Sequence, residues 1–531
     1  MTDVKFSIEE KIGQLFMVGF PGKKLNWEVR QFIHRSNLGF IILFSRNIDS
    51  IARVVELTNE LHSLSHISPF IFTDQEGGTV VQFKQMASTV VSHMGLAATG
   101  KTENARLAAK IIGTEMEACG FDGVLAPVLD VNFEEKNPII GIRSFSDRPE
   151  VVIKFASKFY QGLQESGVAG CGKHFPGHGG TVQDSHLNIP VVNLSEDVFY
   201  ACCVEPFSAL VQRNIDAIMT SHVRFQNISD QIATFSPFLV TRLLRKKFRF
   251  GGVIISDCLE MRAVRDHFTA EEIIKKAMEA GVDIITSSHS LDFQKELYET
   301  LIFNIKRGRI PERRIDESLV RILALKNKYH LLGKRKIKDF RLAERTIKSH
   351  RKQEQKLADD SVTMLRNQLG VIPIGEDKKI LIIEWQKVKA TMSFSQAEDV
   401  FMLWRGAKKF YKNIQCHLLK LDGTVPRKLM DRLVEYDYII AGLYSRNPDI
   451  EKVQAAALNQ IEKIRKDVIV VALGNPYDIR HIKQISTYIV TYGFRDIQID
   501  AFFKLVRGDL KPSGKLPVLI QNVCPGCYEI E

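Results

Sequence analysis

Val168-Ala-Gly-Cys-Gly-Lys173 is a short strand-like run, and it leads directly into the segment His174-Phe-Pro-Gly-His178-Gly-Gly-Thr-Val-Gln-Asp184-Ser-His186. Gly and Pro at this density predict a loop. Titratable side chains on a loop that a rigid scaffold holds are typical of a catalytic site. The run and the segment after it together predict a buried strand that ends in a functional loop.

Runs of the same kind recur through the first 300 residues. They are rich in Val, Ile and Phe with little alternation, as expected for strands that are buried on both faces. The eight runs are Leu15–Phe20, Leu38–Phe44, Phe70–Thr73, Gly123–Pro127, Val168–Lys173, Ala217–Ser221, Val253–Asp257 and Val282–Thr286. Helical patterns lie between them, for example Glu103–Cys119, Pro149–Glu165, Leu194–Arg213 and Ala270–Ala280. Eight β-then-α units predict an α/β fold, a (β/α)₈ TIM-type barrel over residues 1–308.

Polar side chains stand where these runs end. They are Asp74, Asp130, Lys173, His174, His222 and Asp257. In (β/α)₈ barrels the active site is built on the face formed by the carboxyl ends of the strands. We therefore expect these side chains to share one site.

The remainder of the chain divides into two further segments. Residues 309–357 carry long, charged helical patterns and are predicted to form a basic helical linker. Residues 358–531 repeat the alternation on a smaller scale, and predict an α/β sandwich domain with a mostly parallel sheet. Its apolar runs are Lys379–Glu384, Tyr438–Leu443, Val468–Leu473 and Tyr488–Tyr492, with a helix at Ile450–Arg465.

Composition excludes several classes of protein. The 531 residues are 45% hydrophobic and 25% charged, which is typical of a globular chain. No apolar run approaches the length of a membrane span, and acids interrupt the N-terminal segment, so we expect a cytoplasmic protein. The eight cysteines include one Cys-X-X-Cys pair, Cys524 and Cys527. A structural zinc site usually needs two such pairs, so we expect reduced thiols.

The positive charge is local. The net charge is +11, and residues 301–356 carry 18 Lys and Arg against 6 Asp and Glu. A solvated helical linker is the favoured interpretation, and a surface for an anionic polymer is the alternative. Nucleic acid is not expected, because the stretch lacks interleaved aromatic residues and any recognisable binding motif.

Two groups could perform the chemistry. Asp257, at the mouth of a buried strand, is a candidate nucleophile or base, or else the N-cap of a Cys258–Val264 helix. Asp184 and His186 are two residues apart, so in an extended loop they project to one side. Such a pair transfers protons near neutral pH, or simply stabilises the loop.

A metal centre is the competing interpretation of the loop. His174, His178, Asp184 and His186 are all zinc-ligand types, and three of them with a water would form a hydrolytic site. Separately, Lys173, His174, Arg143 and Asp74 supply donors and acceptors that suit the hydroxyls of a sugar.

The chain resembles the β-N-acetylglucosaminidases of glycoside hydrolase family 3. The resemblance rests on six motifs that occur in the family's order. Two further matches follow later in the chain, Arg314-Ile-Asp-Glu-Ser318 and Ser513-Gly-Lys-Leu-Pro517. The motifs are Asp74-Gln-Glu-Gly-Gly78, Asn137-Pro-Ile-Ile-Gly-Ile-Arg-Ser-Phe145, Lys173-His-Phe-Pro-Gly-His-Gly, Asp184-Ser-His186, Met219-Thr-Ser-His222 and Ser256-Asp-Cys-Leu-Glu-Met261.

The resemblance implies a two-domain retaining glycosidase that needs no metal or cofactor. By resemblance, Asp257 is the nucleophile, and His186 paired with Asp184 is the acid/base, where most retaining glycosidases use two carboxylates. The implied substrate contacts are Asp74, Arg143, Lys173, His174, His222 and, with a weaker match, Arg46. The implied partner is a carbohydrate that carries β-linked N-acetylglucosamine, such as a cell-wall (peptidoglycan) fragment, and a monomer or weak homodimer is expected.

Four positions depart from the family's usual pattern. Thr79 and Gln82 stand where arginines are common, Gly180 replaces an acid, and Cys258 follows the expected nucleophile. Two other functions therefore stay open beside hydrolysis. The first is a phosphorylase that uses the same site, and the second is a non-catalytic amino-sugar-binding protein.

Overall fold

The computed structural model of the protein describes residues 6–182, 188–333, 336–386, 401–444, 448–482 and 484–520. Sixteen strands, numbered in chain order, form three sheets. They are β1 Phe16–Val18, β2 Phe40–Leu43, β3 Phe70–Thr73, β4 Gly123–Val124, β5 Ala169–Phe175, β6 Val191–Val192, β7 Ala217–Thr220, β8 Arg224–Phe225, β9 Val253–Ser256, β10 Ile285–Ser287, β11 Thr363–Asn367, β12 Ile380–Trp385, β13 Ile414–Leu419, β14 Tyr438–Leu443, β15 Ile469–Ala472 and β16 Thr487–Val490.

Seventeen α-helices accompany them in the described ranges. They are α1 Ile8–Gly13, α2 Trp27–Arg35, α3 Ile51–Ser63, α4 His93–Ala98, α5 Thr102–Ala118, α6 Pro149–Glu165, α7 Glu196–Val198, α8 Glu205–Val211, α9 Arg262–Arg265, α10 Ala270–Ala280, α11 Leu291–Lys306, α12 Glu312–Lys328, α13 Phe340–Ser361, α14 Met402–Ala407, α15 Arg427–Arg432, α16 Pro448–Glu462 and α17 Asp496–Arg507. Two π-helical segments lie at Phe199–Val204 and Phe238–Lys247.

The first sheet is the expected barrel. Its eight strands run parallel in the order β10-β1-β2-β3-β4-β5-β7-β9. A parallel bridge between Ile255 and Ile284 joins the two ends of this order. Each of the eight predicted apolar runs overlaps one of these strands, although β5 and β10 extend slightly beyond their runs, and the strand side chains are buried. The (β/α)₈ barrel is confirmed.

The second sheet is mostly parallel, as predicted. Its order is β11-β16-β15-β14-β12-β13, and only β11 runs antiparallel to its neighbour. Two edge strands, β11 and β13, are absent from the sequence prediction. Strand β11 mixes buried and partly exposed residues, and β13 is partly exposed along most of its length, so neither forms the continuous apolar run that marks a strand buried on both faces.

The basic helix α12 packs against the amino-terminal end of the barrel. Arg321 pairs with the buried Asp283 at 2.7 Å, and Lys328 pairs with Asp216 at 2.6 Å. Lys326 is wholly buried and donates to Gln14. The helix is present as predicted, but its inward face is not a solvated linker, because its basic side chains contact barrel residues.

The second domain is held against the barrel by buried polar contacts. The Asn132 amide donates to the Tyr477 hydroxyl at 3.1 Å, and the Ser92 hydroxyl donates to the Tyr492 carbonyl at 2.8 Å. These contacts lie beside the barrel face formed by the strand carboxyl ends. No helix in the described part of the chain is long and apolar enough to cross a membrane.

Candidate active site

A cavity of about 430 Å³ opens at the carboxyl ends of the barrel strands. This volume is within the range of small-molecule sites. Six of the predicted site residues line it, namely Arg46, Asp74, Arg143, Lys173, His174 and Asp257. The barrel topology therefore brings together side chains that are up to about 200 positions apart in the chain.

Two cations and two carboxylates form an ion-pair cluster on one wall. The Lys173 Nζ lies 2.6 Å from both Asp74 Oδ1 and Glu76 Oε1. Arg143 donates to the two oxygens of Glu76 at 2.9 and 2.8 Å. Burial alone would raise the pKa of the Glu76 carboxyl, but Arg143 and Lys173 reverse this and hold the pKa well below its usual range. The cluster therefore contains four charged side chains whose charges cancel.

A buried aspartate orients the beginning of the histidine loop. Asp130 Oδ2 lies 2.7 Å from His174 Nδ1, and Asp130 Oδ1 accepts the backbone N–H of His178 at 2.6 Å. His178 Nδ1 lies 2.9 Å from the Thr181 hydroxyl. Burial lowers the pKa of His178 to about 4, so this side chain is neutral near neutral pH.

Asp257 follows β9 directly and is half-buried. Its Oδ1 accepts the N–H of Cys258 at 2.7 Å. The next helix, α9, begins at Arg262 with Met261 at its N-cap. The N-cap alternative for Asp257 is therefore wrong, and its carboxylate is left on the cavity wall.

His222 does not line the cavity with the other predicted contacts. It is buried, its Nδ1 lies 2.9 Å from the Thr234 hydroxyl, and its Nε2 lies 3.1 Å from the Cys258 carbonyl. Its position supports the backbone beside Asp257.

Arg46 reaches the cavity from the loop after β2. Its guanidinium donates to the backbone carbonyls of Phe20 at 3.1 Å and Ser288 at 2.5 Å. These two bonds hold the guanidinium in place on the wall.

Several residues of the wall were not identified from the sequence. Glu76 pairs with both Lys173 and Arg143. Its position inside the Asp74–Gly78 motif is the sequence feature that could have identified it. Asp130 was recognised as a strand-end residue but not as the partner of His174. The Glu260 and His289 side chains also line the cavity; Glu260 stands inside the Ser256–Met261 motif without an assigned role, and no sequence pattern singled out His289.

Asp184 and His186 lie outside the described residues. The described part of their loop ends at Val182, so the predicted dyad and the four-residue metal alternative stay sequence predictions.

Comparison with known proteins bears on the whole chain. A model of the glycosyl hydrolase family 3 N-terminal domain matches residues 7–325, which is more than half of the sequence. The chain belongs to glycosyl hydrolase family 3. As a family 3 member it is a glycoside hydrolase, and the expected family is confirmed.

Relatives within family 3 extend the match beyond the barrel. The β-hexosaminidase A of Pseudoalteromonas piscicida is 26% identical over 93% of this chain and 91% of its own length. A β-hexosaminidase of Alkalilimnicola ehrlichii is 34% identical over 51% of this chain and 79% of its own. A solved family 3 β-N-acetylglucosaminidase from Paenibacillus sp. str. FPU-7 is 28% identical, covers 97% of this chain and 99% of its own, and has a TM-score of 0.85.

Two of the departures from the family 3 pattern, Gln82 and Gly180, fit their local surroundings in this structure. The Gln82 side chain accepts the N–H of Ser45 at 2.9 Å, which ties the Asp74 segment to the loop that carries Arg46. At Gly180, an added Cβ would lie 2.3 Å from the ring of Phe133. A larger residue there would need the ring to move, so glycine fits this local packing.

Proposed function

We propose that this family 3 protein is a retaining exo-β-N-acetylglucosaminidase that removes terminal β-linked N-acetylglucosamine. The observation that carries the proposal is the Asp257 carboxylate, which lines one cavity together with Asp74, Lys173 and His174. A carboxylate beside convergent donors and acceptors suits covalent catalysis on a sugar. The names of the relatives support N-acetylglucosamine as that sugar.

Asp257 is the proposed nucleophile. Its carboxylate would attack the anomeric carbon, displace the aglycone oxygen and form a covalent glycosyl-enzyme. The Cys258 N–H holds one carboxylate oxygen, while His222 contacts the Cys258 carbonyl. The backbone beside the nucleophile is thus supported from two directions.

His186, assisted by Asp184, is the proposed acid/base. The imidazolium would protonate the departing oxygen, and the neutral imidazole would then deprotonate the water that releases the sugar. Asp184 would stabilise the imidazolium and fix its tautomer. This assignment rests on the Asp184-Ser-His186 motif.

The remaining proposed contacts bind the sugar. Asp74 would accept hydroxyl protons, and Lys173 and His174 would donate to sugar oxygens. Arg143 is bonded to Glu76 and to the Ile139 carbonyl, so it would shape and charge the cavity as much as contact the sugar. Arg46 would contact the outer part of the substrate, and His222 would act through the backbone of Cys258.

Asp257→Asn tests the mechanism with an aryl β-N-acetylglucosaminide. We expect kcat/KM to fall by at least about a thousandfold with the fold intact, because the nucleophile is lost. Asp230→Asn is the matched control, since Asp230 is exposed and does not line the cavity. Retained activity in Asp257→Asn would refute the proposed nucleophile.

Phosphate distinguishes hydrolysis from phosphorolysis in the same assay. A hydrolase releases free N-acetylglucosamine at a rate that phosphate does not change, whereas a phosphorylase is accelerated and yields sugar 1-phosphate. Binding of the sugar without turnover by the wild-type protein would favour the non-catalytic alternative.

Cell-wall fragments are the proposed natural substrates. This proposal rests on the resemblance to enzymes that act on terminal N-acetylglucosamine, and a peptidoglycan disaccharide compared with a chitin disaccharide in the same assay tests it. The cytoplasmic location and the monomer or weak homodimer stay predictions from the sequence.

A further inference from the structure

Three different metal-ligand types meet on the outer wall of the cavity. The Cys258 thiol, the Glu260 carboxylate and a ring nitrogen of His289 lie within 4.8 Å of one another. In the described part of the chain, this is the one group of three or more His, Cys, Asp or Glu side chains whose ligand atoms lie that close together. None of these three side chains has a part in the proposed hydrolysis, in which Cys258 takes part only through its backbone.

The barrel topology holds this group together. Cys258 and Glu260 follow β9, and His289 follows β10, which is the neighbour of β9 where the barrel closes. Glu260 accepts the backbone N–H groups of His289 at 2.6 Å and Ser290 at 2.7 Å. The carboxylate therefore fixes the two loops to each other, and the three ligand types are positioned in advance.

The distances suit a small cation. Cys258 Sγ lies 3.9 Å from Glu260 Oε2 and 3.1 Å from the Ser288 hydroxyl. Two ligands of a tetrahedral zinc ion lie about 3.5 Å apart, given bond lengths of about 2.3 Å to sulfur and about 2.1 Å to oxygen or nitrogen. Side-chain rotations of His289, which is exposed, would bring its ring nitrogen to the same centre.

The local charge permits a divalent ion. Arg46 lies on the same wall, because its guanidinium donates to the carbonyl of Ser288. Its positive charge repels a cation bound nearby. A Cys258 thiolate, Glu260 and Asp257 together supply three negative charges. A divalent cation and Arg46 supply three positive charges, so the occupied wall would be neutral.

We propose that Cys258, Glu260 and His289 bind a thiophilic divalent cation, with zinc as the first candidate, and that this cation blocks the sugar site. Binding releases the Cys258 thiol proton and forms metal–sulfur, metal–oxygen and metal–nitrogen bonds, while the fourth position faces the cavity. Because Cys258 adjoins Asp257, the bound ion and a sugar compete for the same space. The site is inhibitory, and it leaves hydrolysis independent of metal.

Cadmium measures the binding directly. Titration with Cd²⁺ of a Cys524→Ser/Cys527→Ser variant, which removes the Cys-X-X-Cys pair and is the background for the variants below, should produce the ultraviolet sulfur-to-cadmium charge-transfer band and saturate at one strongly bound ion. Cys258→Ser should lose this strongly bound ion. Cys202→Ser should keep it, because Cys202 is a half-buried thiol away from the cavity. An unchanged band in Cys258→Ser would overturn the proposal.

Inhibition by zinc is the second readout, and it rests on the proposed glycosidase activity. Each variant is compared with its own rate in a metal chelator. Zinc should inhibit the wild type, and inhibition should weaken at least about tenfold in His289→Ala, as expected when a ligand of a metal site is removed. Because His289 is exposed, this variant should fold normally, which its thermal unfolding checks.

The two readouts separate the failures. A cadmium band that depends on Cys258 in a protein without glycosidase activity would refute the proposed function and keep the metal site. Zinc inhibition that is equal in wild type, Cys258→Ser and His289→Ala would refute the proposed site and direct attention to the histidine loop.

Discussion

Glu76 lies between the two cations of the site, and their positions depend on it. It accepts both Arg143 bonds and contacts Lys173, while its own side chain is 2% exposed. Removing one partner of a buried ion pair leaves the other charge without compensation, which costs far more than an exposed pair is worth. A residue that needs no contact with the sugar can therefore decide whether the proposed sugar contacts, Lys173 and Arg143, are in place.

Glu76→Gln should destabilise the protein by about 3–5 kcal/mol and lower kcat/KM, since Lys173 and Arg143 lose their shared carboxylate. The depressed pKa of Glu76 means that this stabilisation is present above about pH 4 and is lost as the pH falls further. Denaturant unfolding between about pH 3 and pH 7 measures the loss of stability and its dependence on pH, and kinetics with the aryl substrate measure the fall in kcat/KM.

The control for that experiment is Glu279→Gln, which removes the same charge from an exposed position of α10. It should change stability by less than about 0.5 kcal/mol. Equal stability of the Glu76 and Glu279 variants would show that the cation pair does not depend on Glu76.

At the scale of elements, buried Lys326 makes the stability contributed by α12 depend on pH. Burial lowers the pKa of Lys326 to about 7, and its Nζ donates to two neutral acceptors, the Gln14 side chain and the Ser68 carbonyl. Between pH 7 and about 10 the unfolded chain binds the proton that the folded chain has released. The free energy of unfolding therefore rises with pH across this window, by at most about 1.4 kcal/mol per pH unit.

Lys326→Met should remove this contribution to the pH dependence. Unfolding by denaturant at pH 7, 8 and 9, values chosen within the roughly 7–10 window, measures the slope of stability against pH. Lys275→Met on α10 is the control, since Lys275 is exposed and should leave the slope unchanged. A Lys326→Met slope equal to that of the wild type would mean that this lysine stays charged in the fold.

The elements themselves were largely predictable because their signals are local. Strands with both faces buried, such as β9, are continuous apolar runs, and Pro149–Glu165 and Ala270–Ala280 are helices at the predicted bounds. The predicted helix at Leu194–Arg213 is present as α7, a π-helical segment and α8 in succession. The edge strand β13 was missed because its Gln415 and His417 break the apolar run.

The site was predictable only in part, for a related reason. Strand-end positions such as Asp74 and Lys173 follow from barrel topology, which places all carboxyl ends on one face. The pairing of Asp130 with His174 depends on how the segment after β4 runs beside the end of β5, which no local pattern encodes. The same holds for Glu260, whose partners are backbone amides of another loop.

At the scale of the whole molecule, the second domain reaches the substrate cavity through one buried chain of hydrogen bonds. The Tyr477 hydroxyl accepts from the Asn132 amide at 3.1 Å, and the Asn132 side-chain oxygen accepts the N–H of Gly141 at 3.1 Å. Gly141 begins the single helical turn that ends at Arg143. The second domain is thereby connected to an arginine that lines the cavity and orients Glu76.

Tyr477→Phe should raise KM and lower kcat/KM several-fold, because a buried amide without its acceptor costs about 1–3 kcal/mol and loosens the Gly141–Arg143 turn. Tyr488→Phe is the matched control, since that hydroxyl is buried in the same domain and has no hydrogen-bond partner there among the described residues. Kinetics with the aryl substrate, beside thermal unfolding, separate the two effects. If both variants keep wild-type kcat/KM, the second domain does not support Arg143 through Asn132. If only Tyr477→Phe loses kcat/KM while both unfold at similar temperatures, then the domain acts on the site through this contact rather than through overall stability.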